Sequence, residues 1–109
     1  MKNNVAVIGE CMLEVSSMGA GRDQSALPAG LSFGGDTLNT AIYLARLGAD
    51  VDYVSALGDD DMSSWMLSQW RAEGVGCNLV TRQQNAVPGL YMIQIDEQGE
   101  RSFLYWRSN

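Results

Sequence analysis

The most informative stretch of this sequence is Phe33-Gly34-Gly35-Asp36-Thr37-Leu38-Asn39-Thr40-Ala41, in which two glycines run directly into a predicted helix. Glycine carries no side chain, so a ligand can approach the backbone closely at Gly34 and Gly35. The first turn of the helix adds free N–H groups next to an acid, a hydroxyl and an amide. The stretch therefore predicts a site that holds a small polar molecule.

Asp36 and Asn39 are three residues apart and project from a similar side of the first helical turn. One interpretation is helix capping, because Asp36 is a good N-cap residue and its charge complements the helix dipole. The other is ligand binding, because a carboxylate accepts hydrogen bonds from hydroxyls and an amide both donates and accepts them. The pair suits a polyol, and both interpretations stay open here.

The segments around this stretch predict a βαβ unit. Val5–Ile8 is a short apolar run that suits a strand buried on both faces of a parallel sheet. Helical periodicity covers Asp36–Leu47, and Val51–Ser55 forms a second strand. A second helix follows over Met62–Glu73. About twenty-five residues separate the first strand from the first helix, and βα connections of that length are usually functional.

The last part of the sequence, from Pro88 onward, changes from a helical to a strand-like pattern. Leu90–Ile95 and Arg101–Arg107 are strand-like and joined by a polar turn, which predicts a hairpin. A period of two places Phe103, Tyr105 and Arg107 on one face.

Two strands alone are marginally stable in water, so this hairpin needs partners. The strand-like pieces between residues 10 and 33 are the candidates, although residues 19–30 are rich in Gly, Ser and Pro and predict a loop or hairpin. We expect a small sheet that stands off the βαβ unit like a lid.

Tyr91, Tyr105 and Arg107 form a second candidate binding set. Strand aromatics are often packing residues and a lone arginine is often a solvated charge. A guanidinium, however, binds carboxylates with two parallel hydrogen bonds, and a tyrosine offers a ring and a hydroxyl. If the hairpin folds over Gly34 and Gly35, one pocket holds both sets, and its ligand is a sugar that carries an acid group.

Composition excludes several classes of protein. The 109 residues carry a net charge of -6, which argues against nucleic acid or an anionic membrane as a partner. The apolar run near the N-terminus is too short for a signal peptide, so we expect a cytoplasmic protein. There is no histidine, and Cys11 and Cys77 are not in metal-ligand spacing, so we expect no metal site and two reduced, structural thiols.

Nucleotide-binding motifs are missing from the sequence. It contains no G-x-G-x-x-G pattern and no lysine after a glycine-rich loop, since the only lysine is Lys2. Gly58-Asp59 could be a catalytic Gly-Asp turn, but Asp59, Asp60 and Asp61 directly precede a predicted helix. We interpret these acids as stabilising its N-terminus.

Taken together, these residues resemble the ribokinase-like family of carbohydrate kinases, and within it the kinases of 2-keto-3-deoxygluconate. The resemblance extends along the whole chain, and the matching motifs are Val7–Glu10, Gly34–Ala41, Leu44–Gly48, Ser55–Asp60, Pro88–Tyr91, Gly99–Phe103 and Tyr105–Arg107.

The resemblance implies an α/β, ribokinase-like fold: a partial doubly wound parallel sheet with a small β-sheet lid. It implies phosphorylation of a keto-deoxy sugar acid by ATP with Mg²⁺, and a possible homodimer through the lid. The substrate contacts that it implies are Gly34, Gly35, Asp36, Asn39, Tyr91, Tyr105 and Arg107. Glu14 lies near the position where some relatives place a sugar-contacting acid, and we do not assign it to the site.

The sequence departs from the family pattern in one respect. Relatives place their catalytic base in a Gly-Ala-Gly-Asp turn in the C-terminal half, next to the ATP site, and this sequence ends at Asn109 without that turn. We therefore expect an N-terminal portion with no catalytic residue, in which residues 4–10 and 36–87 form the core and residues 11–35 and 88–107 the lid. The 109 residues alone are expected not to turn over.

Two other functions remain open. One is phosphorylation of a neutral sugar such as fructose by a ribokinase-like kinase. The other is a non-catalytic module for sugar binding or dimerisation.

Overall fold

The computed structural model describes residues 4–17, 29–95 and 98–107. Within these ranges the elements are, in chain order, β1 (Asn4–Ile8), β2 (Met12–Ser17), β3 (Ala29–Gly34), α1 (Asp36–Arg46), β4 (Asp50–Gly58), α2 (Asp61–Ala72), β5 (Val80–Gln83), β6 (Leu90–Ile95) and β7 (Arg101–Trp106).

The first sheet is the predicted βαβ unit with one more strand. Its order is β1-β4-β5, and β4 pairs in parallel with both neighbours. The sequence did not predict β5, because its last three residues, Thr81, Arg82 and Gln83, are polar and exposed and so lack the apolar pattern of a core strand. The pairing of Val80 with Ser55 of β4 places β5 in the sheet.

Both helices pack on the same face of this sheet, because both contact Tyr53. The hydroxyls of Tyr53 and Thr37 of α1 are 2.9 Å apart, and the ring of Tyr53 meets the ring of Trp70 of α2 edge-on at 5.3 Å. Along β4, Val51 and Tyr53 are therefore buried, whereas Asp52 between them is exposed.

The prediction that Val5–Ile8 is buried on both faces was wrong. Val5 and Val7 are half-buried against the core, whereas Ile8 is 72% exposed. The reason is that both described helices contact the Tyr53 face of the sheet, which is opposite Ile8.

The helix starts decide between the capping interpretations. Gly35 is the N-cap of α1 and Asp36 is the first helical residue, so the N-cap interpretation of Asp36 was wrong. Asp60 caps α2: its carboxylate accepts a hydrogen bond from the backbone N–H of Ser63 and another, at 2.5 Å, from the Ser63 hydroxyl. The predicted stabilising role is thus confirmed for Asp60, and Asp61 lies in the first turn of the helix, whereas Asp59 accepts a hydrogen bond from the backbone N–H of Asn85 instead.

The second sheet has the order β3-β2-β6-β7 and is called the lid sheet from here on. β2 is antiparallel to β3 and parallel to β6, and β6 and β7 form the predicted hairpin with Tyr91 opposite Tyr105. The hairpin therefore obtains its partners from the long connection between β1 and α1, as predicted. The predicted loop or hairpin over residues 19–30 lies mostly outside the described residues, as does part of the polar turn between β6 and β7.

An aromatic contact joins the lid sheet to the core. Phe33 of β3 meets Trp65 and Trp70 of α2 edge-on, with ring centroids 5.7 and 6.4 Å apart. Leu13 of β2 and Leu90 of β6 belong to the same apolar cluster. The predicted packing role of Trp70 is confirmed. Through Leu13, Phe33 and Leu90, the lid sheet shares one apolar core with the parallel sheet.

The two thiols are free and buried in this core. Burial, the largest effect, raises the pKa of Cys11 to about 12 and also raises the pKa of Cys77. Both side chains are therefore neutral thiols at physiological pH, as the structural interpretation predicted. Neither described helix is both long enough and apolar enough to cross a membrane.

Replacement of Ser63 by alanine tests the turn that leads into α2. Its fully buried hydroxyl accepts a hydrogen bond from the backbone N–H of Gly58 at 3.1 Å while it donates to Asp60. Ser63→Ala leaves the Gly58 N–H unpaired, and we expect the free energy of unfolding to fall by about 1–3 kcal/mol in urea denaturation. Ser68→Ala, at an exposed position of the same helix, is the control. Equal stability of the two variants would contradict this account.

Candidate functional site

A cavity of about 400 Å³ lies between the start of α1 and the lid sheet. The core side contributes the residue after Gly9, the N-cap and the first residue of α1. The lid side contributes one residue of β2 and the inner face of the hairpin. The lining residues are Glu10, Met12, Gly35, Asp36, Tyr91, Phe103, Tyr105 and Arg107.

The structure brings together five of the seven residues that the sequence predicted for the site: Gly35, Asp36, Tyr91, Tyr105 and Arg107. The other two do not line the cavity. Gly34 is buried behind Tyr91, and Asn39 is exposed one turn further along α1.

Gly35 allows the end of β1 and the start of α1 to touch. A Cβ atom at this position would lie 2.6 Å from the carbonyl oxygen of Glu10, which is backbone and cannot move aside easily. The close approach places Glu10 and Asp36 at one rim of the cavity. Glycine is therefore required here for packing, and the first amides of α1 stay open to a ligand.

Gly34 makes room for the hydroxyl of Tyr91, which a Cβ atom at Gly34 would overlap. That hydroxyl donates a hydrogen bond of 2.5 Å to Glu14 Oε1, from the facing position of the neighbouring strand. Burial, together with the Glu14 carboxylate, raises the pKa of Tyr91 far above its ordinary value. Tyr91 is thus a neutral phenol at the cavity wall. Glu14 does not line the cavity, but its hydrogen bond holds the Tyr91 ring in place.

The hairpin gives the cavity an aromatic wall. The rings of Tyr91, Phe103 and Tyr105 lie 6.0–6.3 Å from one another, and Phe103 and Tyr105 are stacked. Phe103, Tyr105 and Arg107 all line the cavity, so the prediction that they share one face is confirmed. Such a wall can pack against the apolar faces of a sugar ring, and the Tyr105 hydroxyl can bind its polar groups, whereas the Tyr91 hydroxyl already donates to Glu14.

Arg107 is the only cation among the described lining residues. Its guanidinium lies over the ring of Tyr105, 5.0 Å from the centroid, and its Nε is 3.6 Å from Glu10 Oε1. Stacking on the ring restricts the guanidinium plane without using its N–H donors. The fork remains able to bind a carboxylate.

Sequence reasoning missed Glu10, Met12 and Phe103 as lining residues. Phe103 could have been found, because it shares the period-two face of Tyr105 and Arg107. Glu10 follows the carboxyl end of a parallel strand, where ligands of open α/β sheets bind, and that rule could have drawn attention to it. Met12 carried no signal, because its place depends on the pairing of β2 with β3.

Comparison with known proteins gives the family. The family model described as pfkB family carbohydrate kinase matches residues 2–109. The chain belongs to the pfkB family. The resemblance that the motifs indicated is confirmed.

A curated relative of this pfkB chain is the 2-dehydro-3-deoxygluconokinase of Dickeya dadantii (strain 3937), which is 48% identical over 110 residues. The alignment covers 97% of this chain and 33% of the relative. The chain thus spans about one third of the length of the curated relatives it matches.

Solved structures confirm the predicted ribokinase-like α/β fold. A fructokinase from Xylella fastidiosa matches with a TM-score of 0.88 at 26% identity, over 98% of this chain and 33% of that one. A 2-dehydro-3-deoxygluconokinase from Thermotoga maritima matches with a TM-score of 0.82 at 26% identity, over 94% of this chain and 32% of that one. The Xylella fructokinase has also been solved with bound ATP, and that structure matches with a TM-score of 0.80 at 26% identity, over 98% and 34%.

The contact between Gly34 and Tyr91 can be tested by a pair of substitutions. Gly34→Ala places a methyl group on the Tyr91 hydroxyl, so the ring must leave Glu14 and the free energy of unfolding is expected to fall by about 1–3 kcal/mol. Tyr91→Phe removes that hydroxyl and should recover part of the loss in the double variant. The measurement is a double-mutant cycle by urea denaturation. Strictly additive effects would contradict the proposed packing.

Proposed function

We propose that this chain forms the substrate-binding part of a kinase that phosphorylates 2-keto-3-deoxygluconate, also called 2-dehydro-3-deoxygluconate, with ATP. The observation that carries the proposal is the shared cavity: the guanidinium of Arg107 and the start of α1 line the same space. A sugar acid has a charged end and a hydroxylated end, and the cavity offers both a cation and hydrogen-bonding groups.

The acid end of the sugar is assigned to Arg107. Its fork can donate two parallel hydrogen bonds to a carboxylate, and its stacking on Tyr105 restricts its orientation. The phenol hydroxyl of Tyr105 can add a further hydrogen bond from the same wall.

The hydroxylated end is assigned to the start of α1. The carboxylate of Asp36 accepts hydrogen bonds from hydroxyls, and the backbone of Gly35 lines the cavity. Gly34 belongs to the proposed set through the room that it makes for the Tyr91 hydroxyl. Asn39 belongs to this proposed set as well, since it lies one turn along the same helix. Tyr91 closes the set from the lid side.

The phosphoryl donor that we propose is ATP with Mg²⁺. The described residues contain no group of three or more His, Cys, Asp or Glu side chains that could hold a metal ion, so we do not assign Mg²⁺ to them. We propose no catalytic residue among them. Their task in this proposal is to bind and orient the sugar and to exclude water from it beneath the lid sheet. Proper positioning accounts for a large share of catalysis in phosphoryl transfer.

A homodimer through the lid sheet is part of the same proposal. The face of the lid sheet opposite the cavity carries Leu31, Leu104 and Trp106, which are between 42% and 53% exposed. An exposed apolar face of this kind is typical of an interaction surface.

We place this small-molecule enzyme in the cytoplasm.

A kinase for a neutral sugar is the second candidate, because a fructokinase matches the fold with a TM-score of 0.88. The two candidates differ at Arg107, since a neutral sugar has no carboxylate for the guanidinium.

Arg107→Ala separates these candidates. We suggest a chimera in which this chain replaces the corresponding third of the Dickeya dadantii relative, assayed by coupled ADP release. For 2-keto-3-deoxygluconate, kcat/KM is expected to fall about tenfold to hundredfold, because a charge-assisted pair of hydrogen bonds is lost. The value for fructose, much lower from the start, should change little.

Arg101→Ala is the matched control, because this exposed arginine begins β7, the strand that Arg107 directly follows, but does not line the cavity. Its kinetics should equal those of the unmodified chimera. Turnover of fructose alone, with a silent Arg107→Ala substitution, would contradict the sugar-acid assignment and favour the neutral-sugar kinase.

A further inference from the structure

The ion pair between Glu10 and Arg107 connects the core to the free edge of the lid sheet. Glu10 follows β1 of the parallel sheet, whereas Arg107 follows β7, the edge strand of the lid sheet. The two side chains meet across the cavity with 3.6 Å between Nε and Oε1, and both line it. The pair is therefore part of the binding space itself.

The geometry of the pair is loose. The distance of 3.6 Å is longer than a charge-assisted hydrogen bond, which spans about 2.7–2.9 Å. Both side chains are 55% exposed, and solvent screens pairs of this kind strongly. A carboxylate that binds the guanidinium with two parallel hydrogen bonds would form the stronger contact.

The charges of the lining residues favour an exchange of partners. Glu10 and Asp36 are acids, and Arg107 is the one cation among the described lining residues. An anionic sugar that enters while Glu10 holds the guanidinium meets two negative charges and a neutralised positive one. Its carboxylate therefore competes with that of Glu10 for Arg107.

We propose that Glu10 is the resident counter-ion of Arg107 and a specificity-determining residue of this pocket. In the empty pocket the Glu10 carboxylate holds the end of the hairpin against the core. When the sugar acid binds, its carboxylate replaces that of Glu10 on the guanidinium. The inference rests on the proposed function, since it requires a ligand with an acid group. Uncharged sugars leave the pair intact and gain nothing from Arg107.

The test is isothermal titration calorimetry of the 109-residue chain with 2-keto-3-deoxygluconate and with its methyl ester, which lacks the charge. Glu10→Gln keeps the shape of the side chain and removes the competing carboxylate. We expect it to lower the Kd of the acid about threefold to tenfold and to change the Kd of the ester less than about twofold. In the Arg107→Ala background the gain should disappear.

A second measurement reports on the empty pocket. If Glu10 holds the hairpin, Glu10→Gln should speed hydrogen exchange of the amides in β7 severalfold without ligand, and leave α2 unchanged. Glu73→Gln is the control for both measurements, because it removes the acid of the Arg46–Glu73 ion pair at the opposite end of α1. Glu10→Ala repeats both measurements in case the glutamine itself contacts Arg107.

The outcomes separate the inference from the proposed function. Acid affinity that is unchanged or weaker in Glu10→Gln overturns the counter-ion role, and so does unchanged exchange in β7. A wild-type chain that binds the ester as tightly as the acid overturns the sugar-acid assignment itself. In that case faster exchange in β7 of Glu10→Gln still supports the contact in the empty pocket.

Discussion

The edge-on packing of Phe33 against Trp65 and Trp70 is the contact on which the rest of the structure depends. Phe33 belongs to the lid sheet, and Trp70 in turn packs on Tyr53 in the centre of the parallel sheet. Aromatic side chains bury large areas and prefer this edge-to-face geometry. The indole N–H of Trp70 finds no hydrogen-bond partner among the described residues, a cost that the apolar contacts have to offset.

This contact explains why a small sheet can stand beside the core and still shape a pocket. Phe33 attaches β3 of the lid sheet to α2. From β3 the sheet continues to β7, and its hairpin covers the start of α1. Because Gly34 and Gly35 have no side chains, the Tyr91 hydroxyl can approach the first and the Glu10 carbonyl oxygen can approach the second. The cavity is thus a product of two close approaches that side chains at either glycine would prevent.

Local patterns predicted most of this architecture. The periodicities of α1, β4 and α2 were sufficient, because each of these elements buries one face and leaves a clear apolar repeat. The hairpin followed from two strand-like runs on either side of a polar turn. The face shared by Tyr105 and Arg107 followed from the period of two alone. What failed depends on neighbours in space. β5 has a polar sequence and exists through its pairing with β4, and Ile8 is exposed because both described helices lie on the other face.

The site was predictable to a similar degree and for the same reason. Arg107 and Asp36 could be identified from the chemistry of their side chains, which suits a carboxylate and hydroxyls. Glu10 matters only because the lid sheet brings an arginine close to it. The central claim is that one sugar acid touches both walls of the cavity. A crystal structure of the chain with 2-keto-3-deoxygluconate tests it most directly. We predict the ligand carboxylate on the Arg107 guanidinium and its hydroxyls at Asp36. A ligand bound elsewhere, with Arg107 still turned to Glu10, would contradict the account.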